Sequence, residues 1–146
     1  MGRIPAGKYR KRIMNLHGSC LCGEIEFEVK TPIYFNHCYC GRCRKASGSG
    51  RASVLVTRPE HLRWTKGEAL LKRWDLPSAS SFATSFCSQC GCAQPRLTRA
   101  GDFAVIPAGS LDDALPIKPE CHEHFASRAE WIVLDESNLA IHDHDA

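Results

Sequence analysis

Nine cysteines fall in a chain of 146 residues, and seven of them sit in three tight clusters. The first is Cys20-Leu21-Cys22-Gly23. The second is Cys38-Tyr39-Cys40-Gly41-Arg42-Cys43. The third is Cys87-Ser88-Gln89-Cys90-Gly91, with Cys92 just behind. Zinc takes four ligands in a tetrahedron, with sulfur at about 2.3 Å. Two cysteines on one tight turn supply two corners, so two such turns make a closed site. In the first and third clusters the last cysteine is followed at once by glycine, which permits a positive φ and turns backbone amides toward the thiolates. Cys20, Cys22, Cys87 and Cys90 therefore read as matched halves of one four-thiolate site, which leaves no room for substrate. The middle cluster offers three thiolates within six residues and leaves a fourth corner open, the arrangement of a catalytic metal. Arg42, Arg44 and Lys45 follow closely; they would offset the thiolate charge and could hold an anionic substrate. Ser47-Gly48-Ser49-Gly50 adds a flexible, donor-rich loop. Spacing alone leaves an alternative open, in which all three clusters serve folding and Cys92, Cys121 or a histidine closes the second site.

The elements that must carry these ligands read as mainly β, with short strands and long loops. Glu24 to Lys30 alternates polar and apolar residues, as a half-buried strand does. Short apolar runs follow at Ser53 to Val56, Leu62 to Trp64, Leu70 to Trp74, Ser81 to Phe86, Phe103 to Ile106 and Trp131 to Leu134. Gly and Pro punctuate them. Helical turns are expected only near Arg42 to Ser47 and Leu111 to Ala114. Such loops bury few side chains, and zinc can pin them by tying distant segments together. Trp64, Trp74 and Trp131 are expected in the core, and Cys92 and Cys121 as small buried hydrophobes. His37, beside Cys38, could support the middle cluster. His122 and His124 are candidates for a base or a ligand, whereas His17 and His61 look incidental.

Apolar residues make up 43% and charged residues 24%, values of an ordinary globular protein with one core. No stretch approaches the roughly 18 apolar residues that span a bilayer. Residues 1–15 read as a basic flexible leader without the apolar run of a secretory signal. Residues 16–136 read as one zinc-binding domain, and 137–146, with His142 and His144, as a polar tail. A cytoplasmic location is expected. There thiols stay reduced, and an odd cysteine count argues against a full disulfide set. The net charge of +3 comes largely from the leader, and no recognition helix accompanies it, so no nucleic-acid partner is expected. No membrane partner is expected either, and the oligomeric state is not legible.

Gly18-Ser19-Cys20-Leu21-Cys22-Gly23, His37-Cys38-Tyr39-Cys40-Gly41-Arg42-Cys43-Arg44 and Phe86-Cys87-Ser88-Gln89-Cys90-Gly91, in that order, resemble the glutathione-dependent formaldehyde-activating enzyme family. Pro107 to Asp112 and Pro119 to Trp131 look like family segments too. The resemblance covers about residues 17 to 134. It implies a Mss4-like β fold and two zinc ions per chain. One would be structural, on Cys20, Cys22, Cys87 and Cys90. The other would be catalytic, on Cys38, Cys40 and Cys43. It implies a carbon–sulfur lyase that joins glutathione, as co-substrate, to formaldehyde. On that reading Arg44, Lys45, Ser47 and Gly48 would bind glutathione and His122 would move the proton. Two other readings remain open: an enzyme of the same build acting on a different thiol adduct, and a non-enzymatic Mss4-like zinc module that binds a protein partner.

Overall fold

The alternation over 24–30 becomes strand β2 (Glu26–Lys30), in which Phe27 and Val29 are buried and Glu26 and Lys30 exposed. The computed structural model describes residues 13–134; most of the basic leader and the whole polar tail, with His142 and His144, lie outside them. β2 pairs antiparallel with β1 (Asn15–Ser19) on one side and β5 (Leu62–Lys66) on the other, making a three-stranded sheet. Strands β6 (Leu71–Asp75) and β7 (Ala83–Cys87) form a separate hairpin.

A larger sheet holds β3 (Tyr34–Cys38), β4 (Ala52–Thr57), β8 (Arg96–Leu97), β9 (Ala104–Pro107) and β10 (Cys121–Glu123), in the order β10-β3-β4-β9-β8. All its pairs are antiparallel except β10 with β3, which is parallel. Register divides its two faces, because paired residues point the same way and neighbours along a strand point oppositely. Phe35 lies opposite Leu55, and Leu55 opposite Ile106. These three pack with Leu16, Phe27, Val29 and Ala104 from the smaller sheet and from β9 into the main core. Burying each large apolar side chain contributes about 1.5–3 kcal/mol. The other face carries Tyr34, Val56 and Val105 in one row, Asn36 and Val54 in the next, then Cys38 with Glu123.

The one α-helix among the described residues, α1 (Gly41–Ser47), lies where a helical turn is expected. Cys40 caps its start, its Sγ accepting from the Cys43 amide, and Gly48 ends it at φ 65°. The turn expected over 111–114 is displaced: a 3-10 turn occupies Ala108–Ser110, and the next residues are stitched to β1. Ser19 donates to Asp112, and the His17 amide and ring both meet Asp113. His17 is thus an anchor for this loop and not incidental. The run Trp131 to Leu134 is not a strand. It folds back over Gly50, where an added Cβ would come within 2.1 Å of Ile132. Of the three tryptophans only Trp64 joins the core, edge-on to Phe27 at 5.7 Å; Trp74 and Trp131 are exposed.

Gly18 accounts for one motif position. A Cβ there would lie 2.2 Å from the Phe27 ring and 2.6 Å from the Ser110 carbonyl. Overpacking of this kind costs about 1–3 kcal/mol. Gly18→Ala is expected to destabilise the fold by about 2 kcal/mol, read as a lower midpoint in urea unfolding with an unchanged slope.

Candidate functional site

The turn after β1 carries Cys20 and Cys22, and the turn after β7 carries Cys87 and Cys90. The two turns are built alike. Gly23 and Gly91 both have φ 74°. The Ile25 amide donates to Cys20 Sγ at 3.3 Å, and the Gln89 amide to Cys87 Sγ at 3.4 Å. The four sulfurs lie within 4.8 Å of one another. Cys20 and Cys22 are 3.4 Å apart, and Cys22 and Cys87 3.8 Å. A tetrahedron with zinc–sulfur bonds of about 2.3 Å has edges of about 3.8 Å, so this donor set fits zinc. The metal-free thiols share their protons unequally. Backbone amides of Cys92 and Cys22 bring Cys90 down to about 6. Cys22 is pushed up to about 12: the Glu24 amide favours its thiolate, but Cys20 and burial outweigh that. Cys92 is half-buried against this cluster and belongs to neither sulfur group.

The middle cluster straddles the junction from β3 into α1. Cys38, Cys40 and Cys43 also place their sulfurs within 4.8 Å, and no fourth Cys, His or carboxylate joins them among the described residues. Closure of this site by Cys92, Cys121 or a histidine is therefore not observed. The Cys43 thiol is held well above its ordinary value, by its contact with Cys38 and by burial, and keeps its proton. That hydrogen bond, with help from the Cys40 amide against the opposing effect of burial, brings Cys38 down to about 6.

The three thiols open into a cavity of about 610 Å³. Its floor is the non-core face of the large sheet, with Tyr34, Asn36, Val54, Val56 and Val105. Arg42 and Lys45 line it from α1. Phe82 and Arg96 line it from the other side, and Glu123 and His124 from the end of β10. Tyr34 Oη donates to Glu123 at 2.6 Å and also meets Cys121 Sγ. Burial and these two partners hold the Tyr34 phenol above its usual range, so it stays protonated. Arg96 is a partly buried cation. Burial lowers its pKa from the guanidinium value, while Cys43 and Cys38 pull the other way.

The remaining candidates fall elsewhere. His122 pairs in register with His37, on the opposite face of β10 from Glu123. Its ring meets Tyr39 Oη at 2.9 Å and does not line the cavity. His37 meets Ser53 at 2.8 Å on that same face. Arg44 keeps its Nε buried without a partner among the described residues. Ser47 is engaged with the Arg44 and Arg51 carbonyls, and Gly48 is the helix cap; neither lines this cavity. Arg96, Glu123 and Tyr34 lie outside the residues to which the cysteine motifs point. Alternation along 121–123 is the signal that separates Glu123 from His122. Nothing in the two-residue strand β8 marks Arg96.

The profile of the family described as "Glutathione-dependent formaldehyde-activating enzyme" matches residues 15–128. The chain belongs to this family. Among its relatives is a Halomonas elongata protein named "Putative glutathione-dependent formaldehyde-activating enzyme", 29% identical over 129 residues, or 84% of this chain and 82% of that one. A crystal structure of a Rhodobacter sphaeroides protein superposes with a TM-score of 0.57 at 23% identity, covering 69% of this chain and 92% of the other. At that identity the likeness speaks for the fold. The family match spans all three cysteine clusters and ends just beyond the cavity residues Glu123 and His124. No helix among the described residues is long and apolar enough to cross a membrane.

The thiolate is the reactive form of cysteine. In chelator-treated protein Cys38 is expected to alkylate ahead of Cys43 at pH 7. With a pKa near 6, it is mostly thiolate at pH 7 and about one-tenth thiolate at pH 5. Its rate should therefore fall about tenfold between those values, as read by mass spectrometry of the labelled peptides.

Proposed function

We propose that this chain is a zinc-dependent carbon–sulfur lyase that joins a thiol, glutathione or a relative, to a small aldehyde. The observation that carries this reading is the group of three thiols, with no fourth ligand among the described residues, at the wall of a cavity that also holds cations and a carboxylate. The Halomonas relative's name points to the same co-substrates.

Cys20, Cys22, Cys87 and Cys90 would hold a structural zinc, and Cys38, Cys40 and Cys43 a catalytic one. A metal bound at the three-thiolate site supplies Lewis acidity, which polarises a carbonyl and favours a thiolate. The chain's own residues do the rest. Arg42, Lys45 and Arg96 attract the carboxylates of the thiol. The aliphatic floor of Val54, Val56 and Val105 keeps water from the reacting carbon. In the forward direction the carbon–sulfur bond forms and the thiol proton ends on the new hydroxyl. Glu123 is placed to carry that proton: it lines the cavity, pairs in register with Cys38, and is oriented by the Tyr34 phenol. The His122 ring meets Tyr39 Oη and does not line the cavity, so His122 is read as a support for Tyr39. Binding of a protein partner by a non-enzymatic zinc module has less support, because such a module needs no open three-thiol group facing a cavity.

Exchange NMR on glutathione and formaldehyde measures how fast the adduct forms and breaks. Zinc-loaded wild type is expected to accelerate exchange well beyond the uncatalysed rate. Glu123→Gln should slow it by about 10²–10⁴-fold with zinc content unchanged. No acceleration by the wild type would sink the lyase reading, and an unimpaired Glu123→Gln would remove the proton-transfer assignment.

A further inference from the structure

The cavity at the three thiols is far larger than a one-carbon aldehyde. It measures about 610 Å³, whereas formaldehyde is little bigger than a water molecule, which takes about 30 Å³ in the liquid. Strand register gives the cavity its length. Cys38 and Glu123 pair at one end. Asn36 and Val54 form the next row, and Tyr34, Val56 and Val105 the row after. Cys38 and Tyr34 bound β3, so the floor runs about 13 Å along that strand.

The two ends differ in chemistry. Arg42 and Lys45 come from α1, the helix that carries Cys43. Arg96 starts in the far row, opposite Val105, but its guanidinium stacks over the Phe82 ring at 5.6 Å and its charge is felt at Cys43. Cations therefore gather toward the thiols, where a carboxylate-bearing thiol would be held. What remains in the far row is uncharged. The Tyr34 hydroxyl is turned to Glu123 and Cys121. Its ring is left beside Val56 and Val105, with Val54 half-buried in front of them. An apolar wall with a few placed polar groups is the usual make-up of a small-molecule pocket.

We infer that this far end is a pocket for the aldehyde's own substituent, so that the preferred carbonyl partner is a longer alkyl aldehyde in place of formaldehyde. This rests on the thiol–aldehyde reading above and names the class of aldehyde. With the carbonyl carbon at the Cys38–Glu123 row, an alkyl chain lies over Val54 and reaches Val56 and Val105. The bond changes are those of the parent reaction. The sulfur–carbon bond forms, the carbonyl π bond opens, and the thiol proton ends on the new hydroxyl, with the chain untouched. Each methylene that leaves water for this floor favours the longer aldehyde by about fourfold.

The test has two readouts on zinc-loaded, full-length protein. Exchange NMR with glutathione gives kcat/KM, relative to the uncatalysed rate, for formaldehyde, propanal and hexanal. Hexanal is expected to exceed propanal by about tenfold or more, and to exceed formaldehyde. Ser81 lines the cavity from a loop that Arg99 ties, through the Ala79 carbonyl, to the chain after β8. Ser81→Trp adds bulk there and should cut the hexanal value about tenfold while leaving formaldehyde unchanged. The second readout needs no reaction. In spectra of methyl-labelled valine, 1-hexanol, which has the chain but no carbonyl, should shift Val54, Val56 and Val105 and leave Val29 of the main core in place. Formaldehyde turned over as well as hexanal, or an absence of shifts at those three valines, overturns the pocket while leaving the lyase reading standing. No acceleration with any aldehyde removes the lyase reading and the pocket with it. Should Ser81→Trp not fold, the wild-type aldehyde series and the valine shifts decide.

Discussion

Two cysteine turns far apart in the chain, one after β1 and one after β7, come together within hydrogen-bonding distance of a shared centre. The rest of the structure leans on that junction. The β6–β7 hairpin pairs with neither sheet. It is held to the smaller sheet by this cluster and by the Leu70, Leu71 and Trp64 side chains around it. A metal on four thiolates supplies folding free energy that so small an apolar cluster lacks. The hairpin's own connection carries Phe82, and the turn after β7 leads into Gln94 and Arg96. Phe82 and Arg96 form the cavity wall that faces α1 and β10. Loosening the four-thiol junction would therefore move one wall of the site against the other.

The division of labour between the two sulfur groups follows from their neighbours. The four-thiol group is built from two matching turns, each with a positive-φ glycine and backbone amides aimed at sulfur, and it closes on itself. The three-thiol group is embedded in a helix start. Cys40 is the cap of α1, and Cys38 ends a central strand, so these ligands are fixed by the sheet and helix and do not depend on the metal for position. On the proposed reading, one group ties the fold together and the other is presented by it.

Much of this is legible in the sequence because it is local. The alternation of 26–30, the glycines after Cys22 and Cys90, and the helical turn after Cys40 each depend on neighbours a few residues away. What is not legible is set by distant pairing. The parallel placement of β10 beside β3 decides that Glu123 joins Cys38 while His122 joins His37. The nearby basic run, Arg42 to Lys45, draws attention, yet a further cation at the thiols is Arg96, from a strand too short to show a pattern. Trp131 to Leu134 is as apolar as a strand but finds no edge to pair with and lies over Gly50. Trp74 is exposed because its hairpin has no sheet behind it at that position.

Two independent metal centres with different duties are the central proposal for this chain. Elemental analysis of zinc per chain, on wild type and on Cys40→Ser with circular dichroism alongside, addresses that directly. The account predicts two zinc ions in zinc-supplied wild type, and one in Cys40→Ser with the β spectrum intact. A Cys40→Ser protein that unfolds, or a wild type that holds only one zinc under saturating supply, would contradict it.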